Sequence, residues 1–335
     1  MTSRSKTIAG LGEFEIIRLI VGRPRHGIGE LKYGIGDDSS VLRFNRRACL
    51  VTTDLLQEGV HFRSEWTTWQ AVGWKSLAVN ISDIAAMGGV PRYYWVSLSL
   101  PKRMLLKDLS SFVRGMRAAA VSQKMICAGG DTNQSPKGVV INVTVLGHAP
   151  KKIPYRDAAR VGDDIYVSGR LGESALGLAW LRRHRTVPSE LSRFVRRHQR
   201  PPLRVSLARR LVAGRVVNAM IDVSDGLLAD LQHILKASGV GAEMSTASLP
   251  ASPSFQKICR RLRIQPHDLI LGGGEDYELL FTARPAAVRR IAAIARSERL
   301  PVTKIGHITK KAGLVCLDET GRLLRGVKPG YNHFA

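Results

Sequence analysis

Cysteine is scarce: four residues, Cys49, Cys127, Cys259 and Cys316, lie far apart with no C-x-x-C pair. That spacing excludes a zinc knuckle and a disulfide framework, and makes a reducing cytoplasm the expected compartment. No run approaches the roughly 18 consecutive apolar residues of a membrane span. The opening residues carry Arg4 and Lys6 without an apolar core, so no secretory signal is expected. Acid is scarce too, with 27 Asp and Glu against 51 Lys and Arg and a formal net charge of +24. Such a balance suits a polyanionic partner. Yet no RNA-binding strand motif, C2H2 spacing or aromatic-interleaved basic strand accompanies it. The basic residues concentrate in Arg182–Arg215 and around Arg260–Arg263, which reads as a solvated helical face.

What remains is an ordinary globular composition, 44% hydrophobic, over 335 residues. At one domain per ~150 residues that is about two domains. Helical spacing appears at Gly12–Val21, Thr68–Met87 and Leu105–Val121, the second stopping at Gly88-Gly89. Strands are expected at Ser40–Phe44, Ala48–Thr53, Tyr93–Leu100 and Val139–Gly147. Turn and charge signals over Pro150–Gly162 mark a boundary, giving domains 1–150 and 151–335. Beyond it, strands are expected at Asp164–Ser168, Val217–Asp222, Glu278–Thr282, Val302–Ile305 and Leu314–Leu317. Helices are expected at Glu173–Arg183, Leu203–Val212 and Leu227–Ala237. The pattern is that of two α/β domains with mixed sheets covered by helices.

Familiar catalytic signatures are missing. There is no P-loop (Gly73-Trp74-Lys75-Ser76 only resembles its end), no G-x-G-x-x-G after a strand, no H-E-x-x-H and no nucleophile elbow. Instead, nine of the few acidic residues gather in short Gly-rich or turn-like clusters: Asp37, Asp38, Asp54, Asp83, Asp131, Asp222, Asp225, Glu275 and Asp276. Singly, each is a common turn or N-cap residue. Asp83 is different, because an acid amid Ala, Ile and Met of a helix is costly without partners. Hard oxygen donors from several strand ends are what Mg²⁺ takes, completing its shell with water and substrate phosphates. Together they point to nucleoside triphosphate chemistry without a P-loop.

The segments GEFEIIRLI, GIGDDSSVL, TTDLLQEGVHF, KSLAVNISDIAAMGGVPR, AGGDTN, IDVSDGLLADLQHI, GGGEDYELLFT and GYNHF run from Gly12 to Phe334. In that order they resemble the thiamine-monophosphate kinases. That family shares a superfamily with aminoimidazole-ribonucleotide synthetase and selenophosphate synthetase. GDD and GGD recur across the superfamily, whereas EGVHF, GGGEDYELLF and the terminal GYNHF narrow the resemblance to the kinases. It implies ATP-dependent phosphorylation of thiamine monophosphate by direct transfer with several Mg²⁺ ions. It implies metal ligation by Asp38, Thr52, Thr53, Asp54, Asp83, Asp131, Asp222 and Asp225. Gly130, Arg156 and Ser224 would contact ATP, and His61, Glu275 and Tyr331 thiamine monophosphate. It further implies a homodimer whose N-terminal sheets pair into a barrel, with a C-terminal α/β sandwich. The acceptor is itself a phosphate with a second pKa near ~6, so no side-chain base or nucleophile is needed. The barrier is the meeting of two polyanions, which metals and Arg156 would screen. The substrate's thiazolium is a cation that Glu275 or the Tyr331 ring would hold. Two departures stand out: Thr132-Asn133-Gln134-Ser135 follows Asp131 where a second Thr or a basic residue is expected, and the Arg-rich stretch is unusually basic. Competing readings are another ATP-using member of the superfamily, and a nucleic-acid-binding protein on the same scaffold.

Overall fold

The computed structural model describes residues 30–33, 36–44, 47–324 and 330. The helix expected at Gly12–Val21 lies outside them. In the first half, strands β1 (Leu31–Tyr33), β2 (Ser40–Phe44), β3 (Arg47–Gln57), β4 (Val90–Leu100), β5 (Ile126–Gln134) and β6 (Val140–His148) form one sheet. Its order is β1-β2-β3-β6-β4-β5, antiparallel except for the β4–β5 edge. Helices α1 (Trp69–Ala86) and α2 (Leu106–Ser122) belong to this half.

In the second half, β7 (Asp164–Ser168), β8 (Met220–Asp222), β9 (Gly241–Ser245), β10 (Leu279–Ala283), β11 (Val302–Thr309) and β12 (Gly313–Leu317) form the other sheet. Its order is β12-β9-β11-β7-β10-β8, with only β12–β9 parallel. Around it run α3 (Glu173–Leu181), α4 (Ser192–Gln199), α5 (Val205–Ala213), α6 (Leu227–Ser238), α7 (Pro253–Leu262), α8 (Pro266–Gly272) and α9 (Val288–Glu298).

Helix α1 is the hinge of this architecture. The Thr68 hydroxyl caps it by accepting from the Ala71 amide at 3.2 Å. It ends where Gly88, at φ +69°, turns the chain and donates to the Ala85 carbonyl. Between those caps it is buried on nearly every side, against the first sheet, α2, and β8 and α5 of the second half. A helix enclosed this way has little polar face to show. Leu77, Ile81 and Ile84 therefore share one core with Val143 and Val145 below and with Leu207, Leu211, Met220 and Phe281 above. Helices α1 and α2 cross at glycines. A Cβ on Gly73 would come within 1.9 Å of the Phe112 carbonyl oxygen, and one on Gly115 within 1.8 Å of that of Gln70.

Most expected elements are present within a few residues of their bounds. Strand β5 is the clear correction: Gly129-Gly130-Asp131, read as a turn-like cluster, lies mid-strand. Every residue of β5 is exposed, so no alternation of apolar and polar residues marks it, and backbone pairing to β4 alone defines it. Strand β3 also runs on to Gln57, which puts Asp54 inside a strand rather than at its end. Strand β9 and helices α4, α7, α8 and α9 were not anticipated.

The glycine crossing yields a prediction. Gly115→Ala introduces the better helix former, worth about 1 kcal/mol, but forces the two backbones apart. A net loss of about 2 kcal/mol in urea unfolding is expected, and an unchanged or raised midpoint would show that the crossing gives way freely.

Candidate active site

The acidic residues meet where the two halves join. Thr52 and Asp54 share the face of β3 that looks toward α1. Thr52 donates its hydroxyl to Asp83 Oδ2 at 2.5 Å. One residue earlier on α1, Ser82 donates to Asp222 Oδ2 at 2.5 Å, reaching from the first half to the end of β8. Asp38 arrives from the segment before β2. Carboxylate oxygens of Asp38, Asp83 and Asp222 lie within 4.8 Å of one another. Arg156, on the segment between the sheets, grips Asp38 with both nitrogens, Nη2 to Oδ1 at 2.7 Å and Nε to Oδ2 at 3.1 Å. Its backbone amide donates to Asp37 Oδ2 at 2.8 Å.

Crowding marks these groups electrostatically. Burial, then the charges of Asp54, Asp222 and Asp38, push the Asp83 carboxyl well above its usual range. Burial and then Asp38 do the same to Asp222. Burial raises Asp54 to about 6. Burial and the adjacent Asp38 lift Asp37 to about 8, against the pull of Arg156. Carboxylates forced together with one guanidinium form a hard-oxygen donor set that could hold a divalent cation in place of the protons.

A second group lies on the loop from β8 to α6. Asp230, buried in α6, accepts the backbone amides of Ser224, Asp225 and Gly226 at 3.1, 3.2 and 3.1 Å. Ligand atoms of Asp225, Asp230 and His233 also lie within 4.8 Å of one another. Ser224 in turn accepts the Glu275 amide at 2.7 Å. Glu275 and Tyr277 hold left-handed backbones at φ +63° and +49° without being glycine, a strain that neighbouring structure must hold in place.

Glu275 is engaged on both oxygens, Oε1 by a salt bridge to Lys75 Nζ at 2.6 Å and Oε2 by His198 Nδ1 at 2.9 Å. Burial alone would raise its carboxyl, but Lys75 and His198 outweigh burial and hold it well below the carboxylate range. His61 accepts the Gln57 amide at Nδ1, 3.0 Å away. With Arg63, Trp66, Lys75, His198 and Gln199 it lines a cavity of about 20 Å³. Residues from opposite halves of the chain, His61 and Glu275, thus share Lys75 and His198 as neighbours.

Not every expected residue joins. Thr53 faces the opposite side of the sheet, where its hydroxyl lies 3.0 Å from that of Thr144. Asp131 is on that side too: it pairs with Ser97, which pairs with Asn142, so three strand spacings separate it from β3. At roughly 4.8 Å per spacing, Asp131 and Asp54 of one chain stand about 14 Å apart, on opposite faces. Gly130 lies at φ +153°, and a Cβ there would meet the Val96 carbonyl oxygen at 1.9 Å. Tyr331 lies outside the described residues. Gly330 before it packs against the Ser224–Gly226 loop, its would-be Cβ 3.0 Å from the Asp225 carbonyl oxygen.

Sequence reasoning missed Lys75, His198 and Asp230 as parts of this site. A lysine inside the apolar α1 was as visible as Asp83, whereas His198 is hidden in a basic run. That run is only partly a solvated face. Arg197 and Arg204 both hold the fully buried Glu278, Arg193 pairs with Glu173, and Arg200 stacks 4.1 Å over Trp74. Arg182, Arg183, Arg185, Arg196 and Arg209 are exposed.

Family models described as "AIR synthase related protein, N-terminal domain" and "AIR synthase related protein, C-terminal domain" match residues 36–149 and 160–318. The chain is 37% identical over 274 residues to the thiamine-monophosphate kinase of Aquifex aeolicus, covering 81% of this chain and 86% of that one. It is 35% identical over 332 residues to that of Bacillus subtilis, covering 97% and 100%. The solved structure "AaThiL complexed with AMPPCP and TMP" superimposes with a TM-score of 0.84 at 31% identity, covering 99% of this chain and 100% of that one. Among the described residues no helix is long and apolar enough to cross a membrane.

The raised carboxyls give a sign to the pH dependence of stability. Asp54, Asp276 and Asp37, lifted to about 6, 7 and 8, keep protons in the folded state that the unfolded chain has released. Stability therefore falls as pH rises through this window. Thermal melts in chelator should drop steadily from pH 5.5 to 8, and a flat or rising profile would contradict the assignment.

Proposed function

From the premise that this chain belongs to the thiamine-monophosphate kinase family of AIR synthase related proteins, we propose that its site transfers the γ-phosphoryl of ATP in line to the phosphate of thiamine monophosphate. The observation that carries this reading is the convergence of Asp38, Asp83 and Asp222 from three elements around Arg156. The donor set fits Mg²⁺: Asp38, Asp54, Asp83 and Asp222 would hold it, with Thr52 oriented by Asp83, and Asp225 would serve a further ion. Bound there, Mg²⁺ supplies charge neutralisation between the two polyanions.

The chain's own residues do the rest. Asp230 holds the Ser224–Gly226 amides in place, a rigid rim for the nucleotide that Ser224 and Gly130 would contact. Arg156, which grips Asp38, would turn its guanidinium to phosphate, with Asp38 then free to hold an ion. The dianionic acceptor needs no base, and none of the site's carboxylates is asked to act as one. His61 and Glu275 would receive thiamine monophosphate, with Tyr331 closing from the tail. Residues 1–150 would supply most metal ligands and the dimer contact, and 151–335 the remaining ligands, in a cytoplasmic enzyme.

We further propose a homodimer in which the uncovered face of the first sheet meets its counterpart in a barrel. Supporting this, that face carries Leu55, Tyr93 and Trp95, all at least 37% exposed, beside Thr53 and Asp131. If Asp54 and Asp131 serve one active site, their ~14 Å separation within a chain, on opposite faces of the sheet, requires Asp131 from the partner subunit.

Purified protein given Mg-ATP and thiamine monophosphate should form thiamine diphosphate and ADP, and absence of product would end the reading. Asp83→Asn should fold normally and lose most turnover, since shape is kept and charge is not. Mixed subunits test the shared site. Asp54→Asn and Asp131→Asn, each inactive alone, should together regain about a quarter of wild-type activity. Random exchange makes half the dimers mixed, with one intact site of two in each. No recovery would assign both residues to one chain.

A further inference from the structure

Lys75 is out of place by composition, a 4% exposed ammonium inside the apolar helix α1. A buried charge survives only with a close partner, and Glu275 is that partner. Lys75 Nζ, 2.6 Å from Oε1, supplies the charge that matches the carboxylate. Direction comes from His198, whose Nδ1–H donates to Oε2 while Ser174 Oγ lies 3.3 Å from the same nitrogen. The Glu275 backbone is pinned too, by its amide bond to Ser224 and its left-handed φ. Lys75, His198 and Glu275 come from α1, α4 and the segment before β10, so the group forms only when both halves are assembled. Lys75 and His198 also face the cavity that His61 lines.

We propose that Lys75 and His198 are positioning residues for the acceptor: they hold the Glu275 carboxylate in one orientation at the wall shared with His61, and so set affinity for thiamine monophosphate and not for nucleotide. This rests on the site reading above. It also revises what Glu275 does. A carboxylate matched by an ammonium has little net charge to offer the thiazolium. It keeps a directed acceptor lone pair, which suits the neutral amino group of the substrate.

Steady-state kinetics with each substrate varied in turn test this. Wild-type turnover tests the reading of the site, and the variants test the inference. Lys75→Met should raise KM for thiamine monophosphate about 10-fold or more, the scale of a lost charged hydrogen bond, with KM for ATP within about two-fold and kcat less affected. His198→Ala should act in the same direction, and His198→Asn, which keeps a donor near Nδ1, should recover most of the loss. The neutral pair Lys75→Met/Glu275→Gln removes the buried unpaired charge, and should fold even where Lys75→Met does not. Its KM should equal that of Glu275→Gln alone, because Lys75 acts through Glu275. Binding of AMPPCP provides the folding control. An unchanged acceptor KM, an equal rise for ATP, full additivity in the pair, or no rescue by Asn would each overturn the proposal.

Discussion

Mutual repulsion among buried carboxylates is the constraint around which this molecule is arranged. Asp38, Asp83 and Asp222 come from the segment before β2, from α1 and from β8; Asp38 raises the proton affinity of both Asp83 and Asp222, and Asp222 adds to that of Asp83. In water at their separation, two unit charges repel by about 1 kcal/mol, and more in a protein interior. Bringing them together requires opposing attractions: the Arg156 fork, the Thr52 and Ser82 hydroxyls, and a core continuous across both sheets. Helix α1 supplies the geometry, since one face carries the core residues and adjacent positions carry Ser82 and Asp83. The cluster is unfavourable as it stands, and a bound cation would relieve it.

A second ionic layer keeps the cleft in shape. Glu278 is fully buried and holds Arg197, Arg204 and Ser168. Asp276 accepts the Gly172 amide at 2.6 Å and that of Ser174 at 3.2 Å at the start of α3. Burial raises Asp276 to about 7, while for Glu278 two arginines overcome burial and keep it low. The alternating run Glu275, Asp276, Tyr277, Glu278 thus points acids in different directions within one short segment, two of them toward cations and one toward a helix terminus. Part of the chain's excess of arginine is spent on these interior pairs.

Much of this was legible in the sequence, for physical reasons that differ by element. Helices with one apolar face and strands with β-branched runs announced themselves, and Asp164–Ser168 was read to the residue. The acidic motifs were visible because acid is rare in this chain. Strand β5 was not, because nothing in it is buried. Helices α4, α7 and α9 are short and each carries several basic residues, which obscured their apolar positions. At the site, the motif gave ligand types but not faces: that Thr53 and Asp131 look away from Asp54 follows from register, which only the assembled sheet reveals. His198 could be recognised only beside Glu275.

Strand β5 has a consequence for how such a protein varies. Because none of its side chains is buried within the chain, intrachain packing places little demand on them beyond Gly129 and Gly130, held at φ +152° and +153° and the latter against the Val96 carbonyl. Exposed substitutions of this kind usually alter stability by no more than about 0.5 kcal/mol. What the β5 side chains influence is then what they touch outside the chain. The unexpected residues Thr132, Asn133 and Gln134 lie within it, at positions where a substitution changes surface chemistry without refolding the chain.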